Sequence, residues 1–183
     1  NSIKFHTANA ILENILFYNY EGSGSHTFYW NNQCSPTIKN STIINYGSWI
    51  FNGGDFANNA IINFQNCIIN SGGNDQAFAG PYNITYSNIV GSDIWTDGNI
   101  DSNPLFVDAT NNDYRLSDYS PAIGAGTSDG APTTDIDGNS RPNPSGSNPD
   151  MGAFESMWAS RLPIAGDVRD GLSGELSWSN SAT

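Results

Sequence analysis

Four short segments share one pattern: Asn14-Ile15-Leu16-Phe17, Ser41-Thr42-Ile43-Ile44, Asn66-Cys67-Ile68-Ile69 and Ser87-Asn88-Ile89-Val90. Each joins a polar residue to β-branched or large apolar residues, which is typical of short β-strands. Their alignment predicts one row of inward residues at spacings of 27, 25 and 21, formed by Leu16, Ile43, Ile68 and Ile89. A second row lies five positions earlier, at Ile11, Ile38, Asn63 and Ile84. Because Asn63 is polar, Ile62 or Phe64 is expected to take the inward place there.

A unit of 21–27 residues with short strands and Gly, Asn and Ser connectors cannot bury its apolar side chains alone. It must stack on its neighbours, which predicts an all-β chain folded as a parallel β-solenoid. Leucine-rich repeats have a similar period but need regularly spaced Leu, whereas these repeats are built on Ile and Asn. A β-sandwich is the alternative, because short strands with frequent turns would give a similar pattern. The repeating register favours the solenoid.

Three regions follow from the change in pattern along the chain. Residues 1–99 are predicted to form the rungs of the solenoid. Residues 100–155 lose the period and fill with Pro, Asp, Asn and Gly, so we expect a last rung and a cap over the open end of the stack. Residues 156–183 are predicted to be a linker and the start of a further β module. The native polypeptide is expected to extend beyond this chain.

Composition narrows the choice of partner. The chain has 183 residues and a net charge of −12, from 18 acidic and 6 basic residues, which argues against nucleic acid as a partner. Its 25 Asn residues suit stacked turns and strands better than helices. No apolar run is long enough to form a transmembrane segment.

Cys34 and Cys67 could form a disulfide in an oxidising compartment, but the preferred interpretation is that they are two small apolar core residues.

Residues 101–155 contain five ordered motifs that point to a known family. They are Asn103-Pro104-Leu105-Phe106-Val107-Asp108, Asp113-Tyr114-Arg115-Leu116, Ser120-Pro121-Ala122-Ile123-Gly124-Ala125-Gly126, Asp135-Ile136-Asp137-Gly138-Asn139-Ser140-Arg141-Pro142 and Asp150-Met151-Gly152-Ala153-Phe154-Glu155. Together they resemble the C-terminal region of bacterial secreted right-handed parallel β-helix proteins. These belong to the pectate-lyase-like superfamily, in the group often named choice-of-anchor Q proteins. Where that group usually has Asp after Ser-Pro-Ala-Ile, this chain has Gly124.

The resemblance implies a right-handed parallel β-helix located outside the cytoplasm or on the bacterial cell surface. It implies no particular reaction, because that superfamily includes polysaccharide lyases, glycoside hydrolases and adhesins. A lyase would need a basic residue beside an acidic sugar, and the repeats offer only Lys4 and Lys39. Arg115 and Arg141 lie in the motifs above, where pairing with Asp or bonding to turn carbonyls is the simpler role.

Candidate site residues fall into three sets, each with a structural alternative. A hydrolase would need two facing carboxylates, and the weak candidates lie on successive connectors, where turns also favour Asp: Asp55, Asp75, Asp93 and Asp97. Aromatic rings on a solenoid face could stack on sugars or could instead pack between rungs: Trp30, Trp49, Trp95 and Tyr46. Oxygen-bearing residues at alternate positions could bind calcium or could form an Asx-bonded turn: Asp135, Asp137 and Asn139.

We therefore expect a secreted or cell-surface β-helix scaffold that binds glycans or other surface partners, with no catalysis evident in this chain. One alternative is a fragment of a polysaccharide lyase or glycoside hydrolase. The other is a self-assembling extracellular structural protein, since an open end of the stack would offer unpaired strand edges to a second copy.

Overall fold

A computed structural model of the protein describes residues 3–5, 9–19, 28–30, 34–45, 51–53, 61–72, 78–79, 81–94 and 96–157. Within these ranges the regular structure is β-strand, apart from one 3-10 turn at Ala109–Asn111. None of the described residues forms a helix long and apolar enough to cross a membrane. The strands are β1 (Ile3–Phe5), β2 (Ile11–Glu13), β3 (Leu16–Asn19), β4 (Phe28–Trp30), β5 (Thr37–Lys39), β6 (Thr42–Asn45), β7 (Phe51–Gly53), β8 (Ile62–Gln65), β9 (Ile68–Asn70), β10 (Phe78–Ala79), β11 (Tyr82–Thr85), β12 (Asn88–Val90), β13 (Phe106–Asp108) and β14 (Asp113–Leu116).

The first twelve strands form three parallel sheets, each of which takes every third strand of the chain. Sheet 1 has the order β1-β4-β7-β10, sheet 2 the order β2-β5-β8-β11, and sheet 3 the order β3-β6-β9-β12. We call each set of three consecutive strands a repeat, from repeat 1 (β1–β3) to repeat 4 (β10–β12), and all twelve strands the strand stack. Each repeat therefore adds one parallel strand to every sheet. The prediction of an all-β chain with parallel strands is confirmed.

The strand register differs from the predicted alignment by one residue at several positions. In sheet 2 the inward row is Leu12, Ile38, Phe64 and Ile84. In sheet 3 it is Phe17, Ile43, Ile69 and Ile89, at spacings of 26, 26 and 20. Phe64, one of the two residues expected to replace Asn63 in the inward row, takes that place. Ile11, assigned inward by the sequence, is 65% exposed, because side chains alternate between the two faces of a strand and a one-residue shift exchanges them.

The connection between sheets 2 and 3 sets this register. Its corner residues are Asn14, Asn40, Asn66 and Tyr86, all with a left-handed backbone (φ 55°, 43°, 55° and 48°). Asn tolerates this conformation better than most residues, so a column of Asn suits a sharp corner repeated in every turn of the chain. The backbone N–H of each corner residue donates to a carbonyl in the next turn of the chain; that of Asn40, for example, donates to Gln65 at 3.0 Å.

The core of the strand stack is apolar. The buried side chains that form it are Phe28, Cys34, Ile38, Ile43, Ile62, Phe64, Cys67, Ile69, Ile84 and Ile89. Both cysteines are free thiols within it, in agreement with the preferred interpretation. Burial raises the pKa of the Cys67 thiol to about 12, which keeps it protonated. Phe28 bridges two rows, with its ring centroid 5.9 Å from Phe17 and 6.2 Å from Phe64.

Residues 101–157, the C-terminal segment, pack against the outer face of sheet 3. Ile68 on that face contacts Ala122 and Met151 in a second buried cluster. At Gly152 the two parts approach so closely that a Cβ would lie 2.8 Å from Thr42 Oγ1 and from Ile68 Cδ1. The antiparallel β13–β14 hairpin flanks this contact, with Phe106 and Leu116 partly buried against the cluster. A second hydrophobic core thus lies outside the stack.

The three corner asparagines Asn14, Asn40 and Asn66, which we call the corner column, bind the C-terminal segment to repeats 1, 2 and 3. Asn14 Nδ2 donates to the carbonyl of Thr134 at 2.8 Å, and Asn40 Nδ2 donates to that of Asp150 at 3.4 Å. Asn66 exchanges two bonds with the backbone of Thr127, at 2.7 and 2.8 Å. These contacts lie along the side of the stack, at the corner between sheets 2 and 3. The cap expected over the open end of the stack stays a prediction.

Candidate functional site

A cleft of about 340 Å³ lies between the β13–β14 hairpin and the turn at residues 135–139. One wall comes from the hairpin and the residues just after it, and the other from the turn and the last described residues of the chain. The lining residues are Val107, Arg115, Leu116, Asp118, Asp135, Asp137, Asn139, Phe154, Glu155, Ser156 and Met157. The structure thus places all three predicted metal-binding residues at one cleft.

Asp135 organises the turn that forms one wall. Its Oδ1 accepts the backbone N–H groups of Asp137 and Asn139, at 2.9 and 2.8 Å. Its Oδ2 accepts the side-chain amide of Asn139 at 3.0 Å and the backbone N–H of Glu155 at 2.9 Å. Burial acts to raise the pKa of Asp135, but these hydrogen bonds outweigh it and hold the pKa below its ordinary value of 3.8.

This geometry bears on the predicted calcium site. Four N–H donors already occupy the oxygens of Asp135 that a calcium ion would need. Among the described residues, no group of three or more His, Cys, Asp and Glu side chains is placed to hold a metal. The hydrogen bonds of Asp135 fit the Asx-bonded turn, the alternative given with the calcium prediction, and the calcium site stays a prediction.

Behind the cleft lies a buried ion pair between Arg141 and Glu155. Arg141 Nε donates to Glu155 Oε2 at 2.8 Å, and both side chains are fully buried. The same guanidinium donates to Asn14 Oδ1 at 2.6 Å and to the carbonyl of Gly152 at 3.1 Å. Glu155 also accepts the backbone N–H of Asn143 at 3.0 Å. The expected role of Arg141 at a turn carbonyl is confirmed, and its acidic partner is Glu155 rather than an Asp.

Asp150 is a second buried carboxylate beside this pair. It accepts the backbone N–H of Gly124 at 2.8 Å and that of Ser156 at 2.7 Å. Burial, followed by the negative charge of Glu155, raises the pKa of Asp150 to about 6, although hydrogen bonds from Ser156 and Gly124 act to lower it. Gly124 thus contributes its backbone N–H to this network, and Asp150 contributes the carboxylate that accepts it.

Arg115 marks the exposed rim of the cleft. Its Nε donates to Asp113 Oδ1 at 2.8 Å within strand β14, as expected for an Arg beside an Asp in this motif. The bonds from Arg115 hold the pKa of Asp113 below its ordinary value. Because the Arg115 side chain is 61% exposed, this pair adds little to stability and leaves a cation at the mouth of the cleft.

Two of the four catalytic candidates fall within the described residues. Asp93 is exposed. Asp97 is an exposed turn residue with φ 57°, and its carbonyl accepts the N–H of Tyr86 at 2.9 Å. This bond continues the corner hydrogen bonding beyond repeat 4. Asp97 therefore has the turn role that was given as the alternative to catalysis. Asp55 and Asp75 lie outside the described residues.

The predicted aromatic face can be located at one position. Trp30 lies in β4, where its backbone pairs with Phe5 and Gly53 in sheet 1. The side chain of Trp30 is not among the described parts of the structure. Tyr46, Trp49 and Trp95 lie outside the described residues altogether. The described aromatics on the surface are others: Tyr18, Tyr82, Tyr86 and Tyr119, each 40–48% exposed.

Comparison with known proteins adds no relative: no family model, curated protein or solved structure matches the chain. The cleft and the network behind it must be interpreted from their own chemistry. Sequence reasoning quoted Asp150 and Glu155 only as part of a motif and assigned them no role. The sequence did carry a signal for their role: Asp150 and Glu155 stand at either end of the apolar and small residues Met151–Phe154. Such a pattern places charged side chains next to a buried segment, where they need partners.

Proposed function

We propose that this chain is a rigid secreted or cell-surface scaffold, folded as a right-handed parallel β-helix, that binds glycans or other surface partners. The observation that carries the proposal is the order of the three sheets, in which every repeat adds one parallel strand in register to each sheet. Such stacking extends a surface at low sequence cost and gives neighbouring repeats identical backbone bonding.

Bracing along the side supports the rigidity. In a simple stack each repeat contacts only its neighbours, so the ends can fray separately. Here the C-terminal segment bonds to the corner residues of repeats 1, 2 and 3 at once, through Asn14, Asn40 and Asn66. Opening any one of these repeats therefore also breaks contacts made by a distant part of the chain.

Two features support the location and the kind of partner. The five C-terminal motifs resemble those of bacterial secreted β-helix proteins, which favours a place outside the cytoplasm or on the cell surface. The net charge of −12 keeps the protein soluble and disfavours nucleic acid and other polyanions as partners.

A glycan array combined with a polysaccharide-depolymerisation assay, both run with calcium and with chelator, tests the proposal. Binding without release of shorter products is the expected result. Product release would instead make the chain part of a polysaccharide lyase or glycoside hydrolase. Absence of binding, together with concentration-dependent growth of particles in sedimentation velocity, would favour the self-assembling structural protein.

A further inference from the structure

The cleft between the hairpin and the 135–139 turn has the construction of a small-ligand site. Its volume of about 340 Å³ lies in the range of about 300–1,000 Å³ typical of ligand pockets. Leu116 and Phe154 supply half-buried apolar surface, and the more exposed Val107 and Met157 continue it to the rim. An apolar surface that is open to solvent on one side suits a ligand that has an apolar face of its own.

The polar groups of the cleft divide into those that support it and those that face solvent. Asp135 and Glu155 are buried and hold the walls together through the hydrogen bonds described above. Asp118 and Asp137 are exposed, and within the described chain their carboxylates take part in none of these bonds. Their oxygens remain available to accept hydrogen bonds from a ligand.

We propose that this cleft binds a short, uncharged, hydroxyl-rich glycan. The apolar face of a sugar ring would rest against Phe154 and Leu116, while its hydroxyls donate to the carboxylates of Asp118 and Asp137. This inference rests on the proposed glycan-binding function and names the site and the ligand class within it. The site differs from the aromatic face predicted from the sequence, since Phe154 was not among those residues.

Charge decides which glycans fit. The lining contains four carboxylates, from Asp118, Asp135, Asp137 and Glu155. Arg141 neutralises Glu155 in the buried ion pair, and the other three face the single exposed cation of Arg115. Arg115 is itself engaged by Asp113. A uronate or sulfated sugar would bring a further negative charge into this field, so the cleft selects against the acidic polysaccharides that lyases cleave.

Titration calorimetry with two neutral probes, cellotetraose and maltotetraose, and one acidic probe, tetragalacturonate, tests the proposal on the full chain. The variant is the double substitution Asp118→Asn/Asp137→Asn, which keeps the size of both side chains. The matched control is Asp129→Asn, an exposed Asp that does not line the cleft. We expect a neutral probe to bind, the double variant to weaken it by about tenfold or more, and the control to leave it unchanged.

Three results would overturn the inference in distinguishable ways. Equal binding by the double variant would place the glycan elsewhere and leave the proposed function standing. Preference for tetragalacturonate would reject the ligand class. If neither neutral probe binds here and no glycan binds on the array, both the cleft assignment and the glycan-binding function fail, while the fold is unaffected. Near-identical thermal midpoints for the variant and the wild type ensure that lost binding does not reflect unfolding.

Discussion

The strand stack and the C-terminal segment are packed against each other, yet their buried residues differ in kind. The core of the stack is formed by Ile, Phe and Cys, repeated at the same place in successive repeats. The C-terminal segment buries Asp135, Arg141, Asp150 and Glu155, and nearly all its regular structure is the β13–β14 hairpin. Both regions contain an apolar core, but among the described residues every buried charged side chain lies in the C-terminal segment.

This difference predicts different sensitivities in the two regions. Apolar burial is non-directional and independent of pH over the ordinary range, so the stack should respond mainly to loss of volume. Buried charges depend on partners at fixed positions and on protonation, so the C-terminal segment should respond to single polar changes and to pH.

Removal of a large core side chain should harm the stack most. Phe64 is 1% exposed and packs on Phe28, so Phe64→Ala is expected to lower the free energy of unfolding by about 3–5 kcal/mol. Ile11→Ala, at a position that the sequence alone had assigned inward, should change it by less than about 0.5 kcal/mol. Equilibrium urea unfolding measures both. Similar losses for the two variants would contradict the register of sheet 2.

The register shows how far the sequence could be interpreted. The parallel pairing, and an inward place for Ile62 or Phe64, follow from apolar residues recurring near one period. That recurrence located two strands of each repeat, and the third strand, in sheet 1, was not predicted. The alignment erred by one residue because Leu12 and Ile11, like Ile68 and Ile69, are equally apolar neighbours, and hydrophobicity cannot tell which of two adjacent residues points inward. The corner asparagines would have resolved it, since Asn14, Asn40 and Asn66 recur at a constant spacing of 26.

The C-terminal segment was harder to interpret for a different physical reason. Its buried pairs join residues such as Asn14 and Arg141, which lie 127 positions apart, and no local pattern encodes such a pairing. The Asx-bonded turn at Asp135 was among the alternatives, because that turn is local and its residue types are characteristic. The cleft was not predicted, since it depends on how the hairpin and the turn pack together.

Loss of one charge in the buried pair should match the core truncation in size. Arg141→Ala leaves Glu155 buried without its cation and also removes the bonds to Asn14 and Gly152. A loss of about 3–5 kcal/mol is expected in urea unfolding. The matched control is Arg115→Ala, which removes an exposed ion pair and should leave the unfolding midpoint unchanged. Equal effects of the two variants would refute a structural role for the buried pair.

The pH dependence of stability should come from the C-terminal segment. Because burial raises the pKa of Asp150 from 3.8 to about 6, the folded protein binds this proton more tightly than the unfolded chain. Its contribution is therefore fully present below pH 3.8 and is lost as the pH rises to about 6, a change of about 3 kcal/mol. Asp150→Asn, which cannot titrate, should abolish that decline.

Urea unfolding at pH 4, 5, 6 and 7 measures this effect as the difference between the wild type and Asp150→Asn. Phe64→Ala is the control from the strand stack. Its loss of unfolding free energy should be the same at every pH, because the substitution removes no ionisable group. Asp135, whose pKa is lowered, contributes in the opposite direction: its stabilisation is lost as the pH falls below 3.8. Parallel pH profiles for the wild type and Asp150→Asn would show that Asp150 does not titrate in this range.

The smallest effect should arise where the two regions meet, at the corner asparagines. Asn66→Gly keeps a residue that adopts φ 55° without strain but deletes both bonds to Thr127, so a loss of about 1–3 kcal/mol is expected. Asn112→Gly is the control, since Asn112 also has a positive φ (63°) but is exposed. If both Gly variants lose the same stability in urea unfolding, the asparagine column serves only to shape the corner. A larger loss for Asn66→Gly would show that the same residues that turn the stack also hold the C-terminal segment against it.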